Sequence, residues 1–124
     1  MKAFSDLEKS RKLAEFLPLE SADMYWWSSG KRYYIEAMDD GDFNEEEGHI
    51  RAWSLAALIN IIPQELFDGE YIINITEGID NKWIITYDHY ENRNHSFYGL
   101  SAGADNLVDA CYEMIIKLHE QNLL

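Results

Sequence analysis

The chain has one cysteine, two prolines and few basic residues, and no long hydrophobic run. With Cys111 alone, no intrachain disulfide can form and no zinc site can be built on several thiolates. The longest uninterrupted apolar stretches, such as Leu55–Ile59, fall far short of the roughly 20 residues a membrane helix needs, so no membrane partner is expected. Lys and Arg number 10 against 23 Asp and Glu, a formal net charge of −13. Such a chain is repelled by nucleic-acid phosphates and attracts cations or basic protein surfaces. The opening Met1-Lys2-Ala3-Phe4-Ser5-Asp6 runs into a polar helix without the apolar core of a signal peptide, and the expected location is the cytoplasm.

Aromatic residues, by contrast, are plentiful: four Trp, eight Tyr and five Phe. Disordered acidic chains are poor in these, so this chain is expected to fold, as a single globular domain over 1–124. A domain of this length buries about two thirds of its extended-chain surface, enough for a core without staples.

Three helices are expected. The first opens on Ser5-Asp6-Leu7-Glu8, a capping box in which Ser5 and Glu8 would satisfy each other's amides, and stops near Phe16 or Leu17 ahead of Pro18. Lys9, Arg11 and Lys12, with Lys2 upstream, make this end a basic island. The second covers about Ala52 to Ile62, where Leu55, Leu58, Ile59 and Ile62 form one stripe and Pro63 closes the segment. The third runs from about Leu107 to Gln121 with Asn106 as N-cap, a core stripe of Cys111, Met114, Ile115 and Leu118, and a Glu113–Lys117 pair on the wet side.

Between the helices the apolar period becomes two. Met24–Trp27 and Lys31–Met38, joined around Ser28-Ser29-Gly30, read as one hairpin. Tyr71–Thr76 and Lys82–Asp88, joined through Gly78-Ile79-Asp80-Asn81, read as a second, with Tyr71, Ile73 and Ile75 facing the same side as Trp83, Ile85 and Tyr87. His95–Leu100 follows as a fifth strand after the polar loop Glu91-Asn92-Arg93-Asn94. The order α-ββ-α-βββ-α predicts an α+β fold: a mainly antiparallel sheet of about five strands with the second and third helices on one face.

Glu36, Asp39, Asp40, Asp42, Glu45, Glu46 and Glu47 fall in one short span without a Lys or Arg. Asp40, Asp42 and Asn44 match positions 1, 3 and 5 of a calcium loop, but Glu45 stands where its sharp turn needs Gly and Arg51 where it needs a bidentate Glu. The span therefore reads as a solvated loop that draws cations without fixed geometry. His89 and His95 flank a loop near Asp88 and Glu91 and could assemble a His–carboxylate site, yet no HxxxH or HExxH spacing enforces convergence. His49 is isolated, and His119 suits the C-terminal end of the third helix.

Cys111 shares an apolar stripe and is expected to be inert. Ser28, Ser29, Ser54, Ser96 and Ser101 lack the GxSxG context of a nucleophile. Gly99-Leu100-Ser101-Ala102-Gly103 has neither dinucleotide Gly spacing nor a phosphate-loop Lys. No catalytic, cofactor-binding or metal residues are assigned, and no cofactor is expected. Tyr25-Trp26-Trp27 and Tyr33-Tyr34 lie on partnered strands with only half able to face a core. The outward half is either an exposed interface or is covered by a second layer or a dimer partner.

Three segments together resemble small uncharacterised proteins encoded by phages and integrated mobile elements of anaerobic gut bacteria. They are Leu13–Trp26, especially Glu20-Ser21-Ala22-Asp23-Met24; Ala52-Trp53-Ser54-Leu55-Ala56-Ala57-Leu58 through Pro63; and Ala104-Asp105-Asn106-Leu107-Val108-Asp109-Ala110-Cys111 through His119-Glu120. In similar proteins Pro often follows the Asn of the last segment, where this chain has Leu107. The resemblance implies a mobile-element origin and carries no activity. The expected function is that of a non-enzymatic accessory protein acting through contact with another protein, favouring a basic surface. The alternatives are an acidic DNA mimic that inhibits a host DNA-binding protein, and a small metal-dependent hydrolase.

Overall fold

The alternating segments are gathered into two antiparallel sheets rather than one. The computed structural model describes residues 2–38 and 42–124. In chain order its elements are α1 (Leu7–Ala14), β1 (Met24–Ser29), β2 (Arg32–Ala37), β3 (Ile50–Ala52), α2 (Leu55–Ile61), β4 (Glu65–Leu66), β5 (Tyr71–Glu77), β6 (Trp83–His89), β7 (Ser96–Ala104) and α3 (Leu107–Glu120). The sheets run β2-β1-β3 and β4-β5-β6-β7. The expected α+β class with antiparallel pairing is present, while the single five-stranded sheet is not. Ile50–Ala52 and Glu65–Leu66 are too short to display an alternation, and they occupy the edges of β1 and β5 that the first and second hairpins leave open. The described chain falls into two compact units, Ala3–Leu58 and Ile59–Leu124 with Lys2, and passes from one to the other within α2.

In the first unit, Ser5 is a buried polar hub and not a helix cap. Its backbone amide donates to the Trp53 carbonyl, its hydroxyl accepts from the Trp53 amide at 3.1 Å, and it meets the Ser10 hydroxyl at 2.7 Å. With that oxygen engaged, Asp6 caps α1 instead, accepting from the Lys9 amide at 2.8 Å, so the expected Ser5–Glu8 box is replaced. Trp53 lies fully buried with its indole nitrogen donating to the Ser21 hydroxyl. The first hairpin turns on two residues, Gly30 and Lys31, with Gly30 at φ +65°. Ala52, expected in the second helix, belongs to β3. The helix starts at Leu55 because Ser54 caps it through the Ala57 amide, while Asp23 accepts from both the amide and the hydroxyl of Ser54. In this unit α1, and not the expected α2, is the helix laid against a strand, β3.

In the second unit α3 packs on β6 and β7. Val108, Cys111, Met114, Ile115 and Leu118 are fully buried, as are Ile85, Tyr87 and Leu100 from the strands. The β5–β6 register pairs Ile73 with Tyr87 and Ile75 with Ile85, the expected common face. Asn106 caps α3 at the Asp109 amide and donates back to the Asp109 carboxylate. Lys117 reaches the Ser101 carbonyl instead of an i,i+4 partner. The strand expected to end at Leu100 continues through Ala104.

Candidate functional site

The β4–β5 connection builds a hollow at one end of the second sheet. Leu66 pairs with Tyr71, so four residues must close the turn, and three of them adopt the left-handed region: Phe67 (φ 55°), Asp68 (φ 56°) and Gly69 (φ 89°). Asp and Gly tolerate this conformation, whereas Phe there costs about 1–2 kcal/mol. The strained Phe67 nevertheless keeps its ring 48% exposed. The ring lies 5.2 Å from Phe97 and edge-on to Tyr71 at 6.2 Å. A bulge delivers Phe97: between the Thr86–Ser101 and Asp88–Ser96 pairs, β6 has one residue where β7 has four. Such insertions bend a strand and re-aim its side chains.

The register sets Tyr71 opposite His89, which brings Glu70 and Tyr90 to the same rim. The resulting open hollow, about 560 Å³, is lined by Phe67, Asp68, Gly69, Glu70, His89, Tyr90 and Glu91. Tyr90 is 51% exposed, stacks on His89 at 4.9 Å and donates its hydroxyl to Glu91 at 2.9 Å. That hydrogen bond, then desolvation and the negative charge of Glu70, raise the Tyr90 pKa above the usual phenol value. His89 Nδ1 accepts from the Glu91 and Asn92 amides at 3.2 and 3.3 Å. We assign the ring proton of the neutral form to Nε2, which lies 3.9 Å from Glu70 Oε1. Two exposed aromatic rings and three carboxylates, Asp68, Glu70 and Glu91, thus border one concavity. That combination suits a cation, held by ring faces and by charge.

His89 and His95 do come together, with rings 6.4 Å apart and the His89 amide donating to the His95 carbonyl. Glu91 meets His89 only through its backbone amide, its carboxylate being bonded to Tyr90, and Asp88 does not join them, because successive residues of β6 face opposite ways. Asp88, 5% exposed, accepts instead from Asn74 (2.9 Å), Thr86 (2.9 Å) and Ser96 (2.8 Å). Three donors replace the water it loses. Among the described residues, no three His, Cys, Asp or Glu gather so as to hold a metal ion. Phe67 and Glu70 were missed by sequence reasoning, since neither a left-handed turn nor the register that faces Glu70 toward His89 leaves a pattern in the sequence.

The acidic span has specific contacts in part. Asp39 and Asp40 lie outside the described residues. Glu45 and Arg51, the two residues at odds with a calcium loop, pair with each other at 2.8 Å. Glu36 accepts from the Tyr25 hydroxyl at 3.0 Å. His49, expected to be isolated, stacks on Tyr25 at 5.1 Å, accepts from the Asn44 amide and lies 3.7 Å from Glu47. Of the basic island, Lys2 pairs with Asp109, Lys9 with Asp6 and Lys12 with Glu15. Burial pushes the Cys111 thiol up to about 12, as its apolar stripe implied. Of the first-hairpin aromatics, Tyr25 is buried, Trp26 and Trp27 are half-buried, and Tyr33 and Tyr34 are exposed. Ser96 serves Asp88, Ser54 caps α2, and Ser101 offers its carbonyl to Lys117.

No protein-family model matches the chain, and neither a curated protein nor a solved structure does. Among the described residues no helix is long and apolar enough to cross a membrane.

Proposed function

We propose that this protein is a non-enzymatic accessory factor of a phage or mobile element and acts by gripping a basic segment of a partner protein. The observation that carries the reading is the hollow at the β4–β5 turn, where exposed Phe67 and Tyr90 rings stand beside Glu70 and Glu91 on a chain of net charge −13. An arginine side chain entering it would lie over an aromatic face within reach of a carboxylate, and the overall field would speed the encounter at low salt. The mobile-element origin rests on the three segments that resemble such proteins.

Calorimetric titration of the full chain with an arginine-rich peptide tests the binding. Phe67→Gly removes the ring without changing charge and relieves the left-handed strain, so the fold is retained. A cation–π contact at an exposed site contributes about 0.5–1 kcal/mol, and affinity should fall roughly two- to fivefold. Equal affinity of wild type and Phe67→Gly would mean that the peptide follows net charge alone and that the hollow is not the site.

A further inference from the structure

We propose that β2 is an association edge and that its occupant is a second copy of this chain, paired antiparallel about Tyr34. The first sheet ends on β2, whose six residues are exposed except for half-buried Ile35. The Met38 amide donates to the Asp23 carbonyl, which fixes the alternation along the hairpin. Glu36, Tyr34 and Arg32 bond inward to Tyr25, Trp27 and Ser29, so the N–H and C=O groups of Tyr33, Ile35 and Ala37 point outward. Their counterparts on β1, Met24 and Trp26, point away from β2 in the same way and are met by Ala52 and Ile50 of β3. Among the described residues, nothing bonds to the outward groups of β2. The strand has no proline, bulge or lysine to blunt its edge, and its two charged residues, Arg32 and Glu36, are of opposite sign.

The side chains select the occupant. Arg32, Tyr34 and Glu36 alternate along one face, with a positive charge at one end and a negative charge at the other. Two copies of β2 can pair antiparallel only if outward residues meet outward residues. Setting Tyr33 opposite Ile35 of the second copy does this, and it places Arg32 opposite the second copy's Glu36 twice over. Tyr34 then meets its own copy on the two-fold axis. These pairs occupy non-hydrogen-bonded positions, where side chains approach most closely. Tyr34 already stacks on Trp27 at 4.7 Å, so the ladder would run through four rings across the junction. Shifting the register by two residues loses both ion pairs, and parallel pairing sets like charges side by side.

Sedimentation velocity of the full chain at physiological salt, from about 10 μM to about 1 mM, tests the inference, since a single strand pairing is a small and weak interface. The expected result is a monomer–dimer equilibrium. Arg32→Glu and Glu36→Arg should each weaken it about tenfold, and combining them should restore it to within about threefold, because the exchanged charges again face each other. Tyr34→Lys alters an exposed site, leaves the hairpin intact by circular dichroism, and should also weaken the dimer by setting two ammonium groups on the axis. A chain that stays monomeric to about 1 mM, a dimer indifferent to Tyr34→Lys, or a double variant no better than the singles would each overturn the proposal.

Discussion

In Ile59–Leu124, the fourteen-residue helix α3 covers β6 and β7, and Tyr87 is sealed inside with its hydroxyl bonded to the Pro63 carbonyl at 2.6 Å. In Ala3–Leu58 the strand β3 is three residues long, α1 has two buried residues, and Tyr33 and Tyr34 remain 45% and 41% exposed. Both units hold an antiparallel hairpin of aromatic and β-branched residues. What separates them is the length of helix available to cover it. The long amphipathic helix turns the strand residues beneath it, Ile85, Tyr87 and Leu100, into core, while Tyr98 of β7 stays exposed. In the first unit no helix of that length lies over the hairpin, Tyr25 and Trp53 are buried, and Tyr33 and Tyr34 on the outer strand β2 remain exposed.

Core truncations should break this comparison most visibly. Trp53→Ala in the first unit should cost about 3–5 kcal/mol and Met114→Ala in the second about 2–5 kcal/mol by urea denaturation, since both side chains are fully buried. Tyr34→Ala should stay within about 0.5 kcal/mol, the range for surface substitutions, when measured at dilutions that favour the monomer. A Tyr34→Ala penalty as large as that of Met114→Ala would mean that β2 is covered and that the contrast between the units is false.

The parts legible in the sequence are those with a repeated local pattern. Cys111, Met114, Ile115 and Leu118 recur at helical spacing after the Asn106 cap, and α3 follows. Tyr71, Ile73 and Ile75 alternate, and their register with β6 follows. Strands of two or three residues have no period to read, so β3 and β4 leave no signal in the sequence and the alternating segments alone do not distinguish two sheets from one. Ser5 satisfies the pattern of a helix cap, but its hydroxyl is claimed by the Trp53 amide, 48 residues away. The candidate site was half legible. His89 and His95 stood out by type, whereas Phe67 and Glu70 acquire their place from a turn and a register.

Ser5→Ala should have the next effect, about 1–3 kcal/mol, because it leaves the buried Trp53 amide without its acceptor, while the Ser10 hydroxyl keeps the Ser5 carbonyl. Cys111 gives a pH signature of the helix-covered unit. Its folded pKa of about 12 exceeds the ordinary thiol value of 9.0, because burial disfavours the thiolate, so the folded state holds the proton more tightly. The associated stability is fully present below pH 9 and is lost as pH rises from about 9 toward 12. Denaturation midpoints should fall across that window, less so for Cys111→Ala, and native protein near neutral pH should resist thiol reagents. Rapid stoichiometric labelling there would contradict the burial. The smallest effect belongs to calcium. With Glu45 tied to Arg51, calorimetry should show at most weak binding that salt suppresses, and a micromolar site surviving physiological salt would show a fixed geometry in the acidic span.

Residue-resolved NMR during titration with an arginine-rich peptide shows whether the hollow beside β4 receives a cationic side chain. Shifts should concentrate at Phe67–Tyr71 and His89–Glu91, including the ring protons of Phe67 and Tyr90, and in Phe67→Gly the remaining shifts should need roughly two- to fivefold more peptide. Shifts spread over Asp42–Glu47 with the hollow silent would contradict that reading.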